Sequence, residues 1–379
     1  MNTETTPGAP RLLNDDIVFA DAYEDARASF LMLSEGAGAA TQSHRHPTAV
    51  GIDGAPLFVD TAYFGPRDAR KVLLSLSGVH GQEFYAGSAA QRRWIRSERW
   101  REVPDDLGIL FVHALNPFGC AWFSRTTENN VDLNRNFIDH TKPHQKNPTY
   151  GELIPLLKLG APSEKAFADF EKKMKGLEES IGVEKFRRAV MRGQYEHPEA
   201  TAYGGVKPEW SNTLLRRIVT EHLGTAQFVG LIDWHTGIGP TDGTFIVCFH
   251  NPGEPAFDHV CDWWGKSNVE KSLSSFGEFE FRPDFSGLAF QGVRESLPNA
   301  EVIGAVIEFG TYSPEEVSRA ILVDLWLRFD CPDPAGEDAA YWCAYMMERL
   351  WPQSPDWRNN CLRLSDDLYS RTVAGLAAL

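Results

Sequence analysis

Five short apolar runs constrain this chain most: "KVLLSLS" at 71–77, "GILFVHA" at 108–114, "FVGLIDW" at 228–234, "TFIVCF" at 244–249 and "VIGAVIEF" at 302–309. They are nearly continuous rather than alternating, so each would be apolar on both faces of a strand. Strands of that kind occur where helices cover a sheet on both sides. Helical patterns lie between the runs. "SAAQRRWIRSERW" follows the first, and "SPEEVSRAILVDLWLRF" opens with Ser313 as N-cap, Pro314 at the first helical position and Glu316 three residues after the cap. This alternation predicts an α/β fold with a twisted sheet that is mixed but largely parallel, flanked by helices on both faces.

At 379 residues the chain can bury a full core without disulfide or metal staples. We expect a single domain over 1–379. Within it, 141–206 is polar and helical ("FEKKMKGLEESIGVEKFRRAVMRGQYE") with no strand candidate, as a surface insertion would be. A net charge of -15 argues against a nucleic-acid or anionic-membrane surface. The six cysteines are scattered with no CxxC, which suits reduced thiols in the cytoplasm. The opening "MNTETTPGAPRLLNDD" has neither a basic n-region nor an apolar h-region, and no run elsewhere is long enough to span a bilayer. A cytoplasmic protein is the expectation.

In open α/β sheets, ligands bind at the carboxyl ends of the strands. "SGVHGQEFYAG" (77–87) follows the first run and holds His80 and Glu83, and "NPFG" (116–119) follows the second. "DWHTGIGP" (233–240) closes the third with His235, and "IEFGT" (307–311) carries Glu308 at the end of the fifth. Three strand ends thus deliver His, Glu, His and Glu to one edge. Two neutral imidazoles and a carboxylate, leaving a fourth position for water, form the ligand set of a catalytic zinc site. Glu308 is then the spare carboxylate that can act as general base. Each piece alone is weak, because a His-x-x-Glu pair arises by chance and a lone His at a strand end is more often structural. Competing motifs fail. No Gly-x-Ser-x-Gly elbow or P-loop exists, and "GIGPTDG" has the wrong spacing for a dinucleotide fingerprint.

The block "NPFGCAWFSRTTENNVDLNRNF" at 116–137 changes the odds. With its Asn-Pro-x-Gly, then Arg, then Asp-Leu-Asn-Arg-Asn, it resembles the zinc metallocarboxypeptidase family. The order agrees too: His-x-x-Glu before it, a strand-end His and a late Glu after it, over roughly residues 70 to 312. The stretches "HPTAVGIDGAPLFVDTAYFGP", "YGG" (203–205), "HTGIGP" and "EFGTY" are similar to a little-characterised bacterial branch, a domain of unknown function. The resemblance implies a carboxypeptidase-like fold and one zinc ion held by His80, Glu83 and His235. It implies Glu308 as general base, Arg125 polarising the scissile carbonyl, and Asn134 with Arg135 gripping the substrate's terminal carboxylate. Carboxypeptidases of this family also place a Tyr between the last ligand and the catalytic Glu. From Thr236 to Ile307 this chain has none, leaving Tyr203 or Tyr312 as substitutes. The chain is also similar to the aspartoacylase and succinylglutamate desuccinylase branch, which hydrolyses acyl amides of amino acids.

The expected function is therefore a zinc-dependent hydrolase that cleaves an amide bond beside a free carboxylate, a metallocarboxypeptidase acting on small peptides. The alternatives are a zinc amidohydrolase of N-acyl amino acids and an inactive binding module, the latter disfavoured by an intact set of ligands and base. The competing reading of Arg125 is an ion pair with Glu128. Asp132 reads as structural, orienting the loop or a ligand imidazole. His113 falls within a strand, and His44, His46, His140 and His144 in polar loops. The aromatic "CDWWGK" (261–266) reads as core packing.

Overall fold

A computed structural model describes residues 18–275 and 285–379, and the opening stretch "MNTETTPGAPRLLNDD" lies outside the described residues. Seven strands form one sheet: β1 (Ala40–Val50), β2 (Pro56–Phe64), β3 (Lys71–Ser77), β4 (Leu107–His113), β5 (Phe228–Thr236), β6 (Thr244–Cys248) and β7 (Glu301–Phe309). Their order is β1-β2-β4-β3-β5-β7-β6. The four central strands are parallel, with β3 pairing with β4 and β5, and β5 with β7. β1, β2 and β6 run antiparallel at the margins. The sheet is thus mixed with a parallel centre, and the five apolar runs are β3 to β7.

Burial follows the two-faced reading. β4 is buried throughout, and β3, β5 and β7 are buried except at their first residues. Successive strand residues point to opposite faces, so Leu73 joins one core cluster and Leu74 the other. On the first face Trp94, Trp264 and Tyr369 pack from the helices Phe84–Arg96, Pro355–Ala377 and Pro255–Trp264. On the second, Leu215 and Phe290 pack from Trp210–Leu223 and Ala289–Ser296. Trp263 and Trp264 of "CDWWGK" are both core residues. The helix Pro314–Phe329 carries the expected capping box, with Ser313 and Glu316 bonding each other's main-chain N–H groups. No helix among the described residues is long and apolar enough to cross a membrane.

Two strands were not anticipated. β1 buries only His46 fully, so this edge strand shows no apolar run, and His44 and His46 sit in it rather than in loops. β2 is apolar but interrupted by Asp60 and Thr61, both buried. The Asp60 carboxylate is accommodated there by Arg27 Nε at 2.7 Å and Ser43 Oγ at 2.5 Å. A paired buried charge inside a strand hides it from a hydropathy reading. His113 lies in β4 as expected, stacked on Phe30, with Nε2 2.7 Å from Ser88 Oγ.

Within 141–206 lie the helices Tyr150–Leu157, Glu164–Ile181 and Val183–Arg192, with only an isolated bridge between Gln194 and Tyr203. Phe167 anchors this segment, fully buried against Ala320, Val323 and Met346.

Candidate metal centre

Because β3, β4, β5 and β7 are parallel, their carboxyl ends share one edge of the sheet. His80 follows β3, and a short turn, Gly81–Glu83, runs straight into the helix Phe84–Arg96. That helix therefore begins four residues before the Ser88 at which its sequence pattern starts. Gly81 is required by close approach: a Cβ there would lie 2.3 Å from Gly119 Cα. Gly119 belongs to the "NPFG" turn, where the Asn116 side chain accepts its N–H at 3.0 Å. The turn after β4 is thus pressed against the loop after β3. Gly81 and Gln82 complete the contact by donating main-chain bonds to the carbonyls of Arg125 and Ser124.

His235 lies near the end of β5, and its register partner in β7 is Glu308. His80, Glu83 and His235 are all buried, and one ligand atom from each lies within 4.8 Å of the others. His80 Nδ1 is 3.1 Å from Glu83 Oε1 but makes no hydrogen bond. His235 Nδ1 is 2.8 Å from Glu83 Oε2. The opposite ring nitrogens face carboxylates: His80 Nε2 lies 3.0 Å from Asp132 Oδ1, and His235 Nε2 lies 3.2 Å from Asp233 Oδ2. Both imidazoles thus turn the same nitrogen inward, each with a carboxylate behind it, as metal-binding histidines do. A purely structural ion-pair cluster is the competing account, but in it His80 Nδ1 meets Glu83 only as a close contact without hydrogen-bond geometry. Two imidazole nitrogens and a carboxylate form a donor set that fits zinc.

The charges are strongly coupled. Burial alone would raise the Glu83 carboxyl, but His80, Arg125 and His235 outweigh it and hold Glu83 well below the usual carboxylate range. Burial also opposes ionisation of Asp132, and His80 and Arg125 again win. Burial disfavours a charged His235, yet Asp233 and Glu83 raise it well above its ordinary value. Glu308 goes the other way. Burial and the nearby Glu83 push it up to about 8, against His235 and Arg125. Four acids therefore crowd one partly positive site, a balance that a divalent cation would change by drawing these carboxyls toward ionisation.

Arg125 borders the centre. Its Nη1 donates to Glu83 Oε1 at 2.6 Å, and its Nε is 3.5 Å from Asp132 Oδ2. It does not pair with Glu128, which faces His46 at 3.2 Å. Asn134 and Arg135 are engaged differently. Asn134 Oδ1 accepts the Ala289 N–H at 2.9 Å. Arg135 Nη1 and Nη2 donate to the carbonyls of Asn134 (2.6 Å) and Met191 (2.9 Å), while its buried Nε has no partner. Tyr312 donates to Glu348 at 2.7 Å, and neither its hydroxyl nor that of Tyr203 bonds a residue of the triad. His140 and His144 lie away from the triad, with Nδ1 and Nε2 3.3 Å apart.

Two acids escaped the sequence reading. Asp233 stands two residues before His235, hence on the same face of β5, a period-2 signal visible in "DWH". Asp324 accepts the Arg125 main-chain N–H at 2.8 Å and a bond from Ser124 Oγ at 3.4 Å. Its contact with Arg125 spans 199 residues of chain, and no local pattern announces it.

Comparison with curated proteins finds no match. Among solved structures, the chain is similar to carboxypeptidase A from Helicoverpa armigera at 11% identity, covering 87% of this chain and 74% of that one, with a TM-score of 0.45. Bovine thrombin-activatable fibrinolysis inhibitor, in complex with tick carboxypeptidase inhibitor, matches at 11% identity over 88% and 98% of the two chains, with a TM-score of 0.44. Murein-tripeptide amidase from Escherichia coli O157 matches at 16% identity over 77% and 93%, with a TM-score of 0.35. Residues 19–364 match the family model described as "Protein of unknown function (DUF2817)", and the chain belongs to that family.

Proposed function

We propose that this chain is a zinc-dependent hydrolase that cleaves an amide bond next to a free carboxylate, acting as a carboxypeptidase on small peptides. The observation that carries this reading is the inward convergence of His80, Glu83 and His235 with Glu308 in register beside His235. When bound, zinc supplies Lewis acidity and brings the pKa of a coordinated water to ~7.

The chain's own residues do the rest. Glu308 accepts a proton from the attacking water and passes it to the leaving amine as the C–N bond breaks. Its raised pKa favours holding that proton, and beside a bound cation the Glu308 carboxyl would return toward the ionised form that a base needs at neutral pH. Arg125, held on Asp324 through its main chain and aimed at Glu83, offers its remaining N–H groups to the oxyanion. Donors of that type are worth ~2.7–4 kcal/mol to the transition state. Arg135 has no carboxylate within ion-pair distance among the described residues, and each Nη group, bonded once to a carbonyl, keeps a second N–H, which suits binding of the substrate's carboxylate with Asn134.

The lack of a Tyr between Thr236 and Ile307 favours a second reading, hydrolysis of N-acyl amino acids, and a panel of dipeptides against N-acyl amino acids separates the two. The experiment for the main reading combines metal analysis with Glu308→Gln. Stoichiometric zinc in both proteins, with kcat lowered at least ~10² in the variant, is the expected result. A variant that loses zinc, or turns over as fast as the parent, would overturn the assigned role.

A further inference from the structure

The Asp132–Asn136 loop, which carries both Asp132 and Arg135, is gripped by the 141–206 segment from several sides. The Tyr203 carbonyl accepts the Asp132 N–H at 2.8 Å, and Tyr195 Oη donates to the Arg135 carbonyl at 2.7 Å. Asn136 Nδ2 donates to the Gly204 carbonyl at 2.9 Å. The Met191 carbonyl, in the last turn of the helix Val183–Arg192, takes the Arg135 guanidinium. A cation there also meets the partial negative charge of the helix terminus. Gly193 follows with φ +81, and a Cβ at that position would stand 2.4 Å from Arg135 Cδ. The side chain is therefore wedged between the helix end and its own loop, with its Nε enclosed beneath Gly193.

We propose that this segment is the positioning element of the anion subsite. Gly193, packed against the Arg135 stem, and Tyr195, bonded to the Arg135 carbonyl, hold the guanidinium at the helix end so that the second N–H of each Nη group serves a substrate carboxylate, and selectivity for free acids is set by residues outside the sheet. This rests on the carboxylate-binding role proposed above for Arg135. Gly193 and Tyr195 are positioning residues, since they act through Arg135.

The test is a matched pair of substrates, a free acid and its amide-capped analogue, run on the parent protein, on Gly193→Ala and on Tyr195→Phe, with zinc content measured in each. The parent should prefer the free acid by roughly ten- to two-hundred-fold in kcat/KM, the range of a charge-assisted contact. Gly193→Ala should bring that ratio close to unity, through KM for the free acid, with zinc content unchanged. Tyr195→Phe should lower the ratio by a smaller factor. A parent that discriminates, beside two variants that discriminate equally well, overturns the positioning role. A parent that does not discriminate instead overturns the carboxylate role of Arg135. If Gly193→Ala does not fold, Tyr195→Phe decides alone, and an unchanged ratio in it counts against the proposal.

Discussion

At the carboxyl edge of the sheet, His80, Glu83, His235 and Glu308 are each no more than 6% exposed. In the 141–206 segment, the helix Glu164–Ile181 buries only Phe167 and Phe170 of its 18 residues. The first region is placed by strand register: β5 and β7 pair along nine residues, and His235 meets Glu308 within that ladder. The second is attached by a few side chains, chiefly Phe167 and the Arg319–Glu171 ion pair at 2.7 Å, and by its hold on the Asp132–Asn136 loop. Ladder geometry resists small displacements, whereas a segment with few buried contacts opens at lower cost. Chemistry belongs on the first kind of support, and selectivity can be carried on the second.

The largest effect should come from breaking the sheet edge itself. His235→Ala removes one of the three proposed ligands, and the purified protein should lose stoichiometric zinc and its turnover together. Full zinc retention in that variant would place the metal elsewhere.

Next in size is the anchor of the segment. Phe167→Ala should cost about 3–5 kcal/mol of local packing. If the two regions are separable, hydrogen exchange will quicken across 164–192 while zinc stays bound. Simultaneous loss of zinc and of the whole thermal transition would instead make them one cooperative unit.

A control lies away from both. β6 runs away from the metal edge, and beyond its end His250 is buried, accepting the Gly304 N–H at 3.3 Å. Burial and Arg294 push His250 down to about 4, against Glu254. Between that value and the ordinary 6.5 the unfolded chain binds a proton that the folded chain refuses. The part of the stability that depends on His250 should therefore be complete above this window and fall as pH drops through it, by up to about 3 kcal/mol. Denaturant melts from pH 7 to 4 on parent and His250→Gln should differ by this slope, with zinc affinity unaffected near neutrality.

The smallest effect sharpens the comparison most, because Asp132 touches both regions. Its carboxylate faces His80, and its N–H is held by Tyr203. Asp132→Asn should weaken zinc binding about 10–100-fold, as loss of a carboxylate behind a ligand imidazole does. Competition with a chelator measures it. An unchanged affinity would mean that the loop serves the segment rather than the metal.

Some elements were legible because their causes are local. β3 to β7 announced themselves as runs apolar on both faces, and the helix after Ser313 through its cap. His80, Glu83, His235 and Glu308 could be placed together because they end or follow parallel strands, whose carboxyl ends must share one edge. β1 was not legible, since an edge strand exposes most of its residues and the hydrophobic pattern vanishes with burial. β2 was hidden by a buried acid whose partner, Arg27, lies 33 residues away.

By itself, then, the sequence determined the sheet's central strands, the residue types at their ends and the block that carries Arg125, Asn134 and Arg135. These depend on periodicity and neighbouring residues, which a chain displays in its order. Only the tertiary structure decided which nitrogen each imidazole turns inward, that Asp233 and Asp324 stand behind His235 and Arg125, and that Arg135 is bound by the end of a helix over fifty residues away. Those are pairings between distant segments. Packing selects them, because a buried charge or N–H must find a partner wherever the fold brings one within reach.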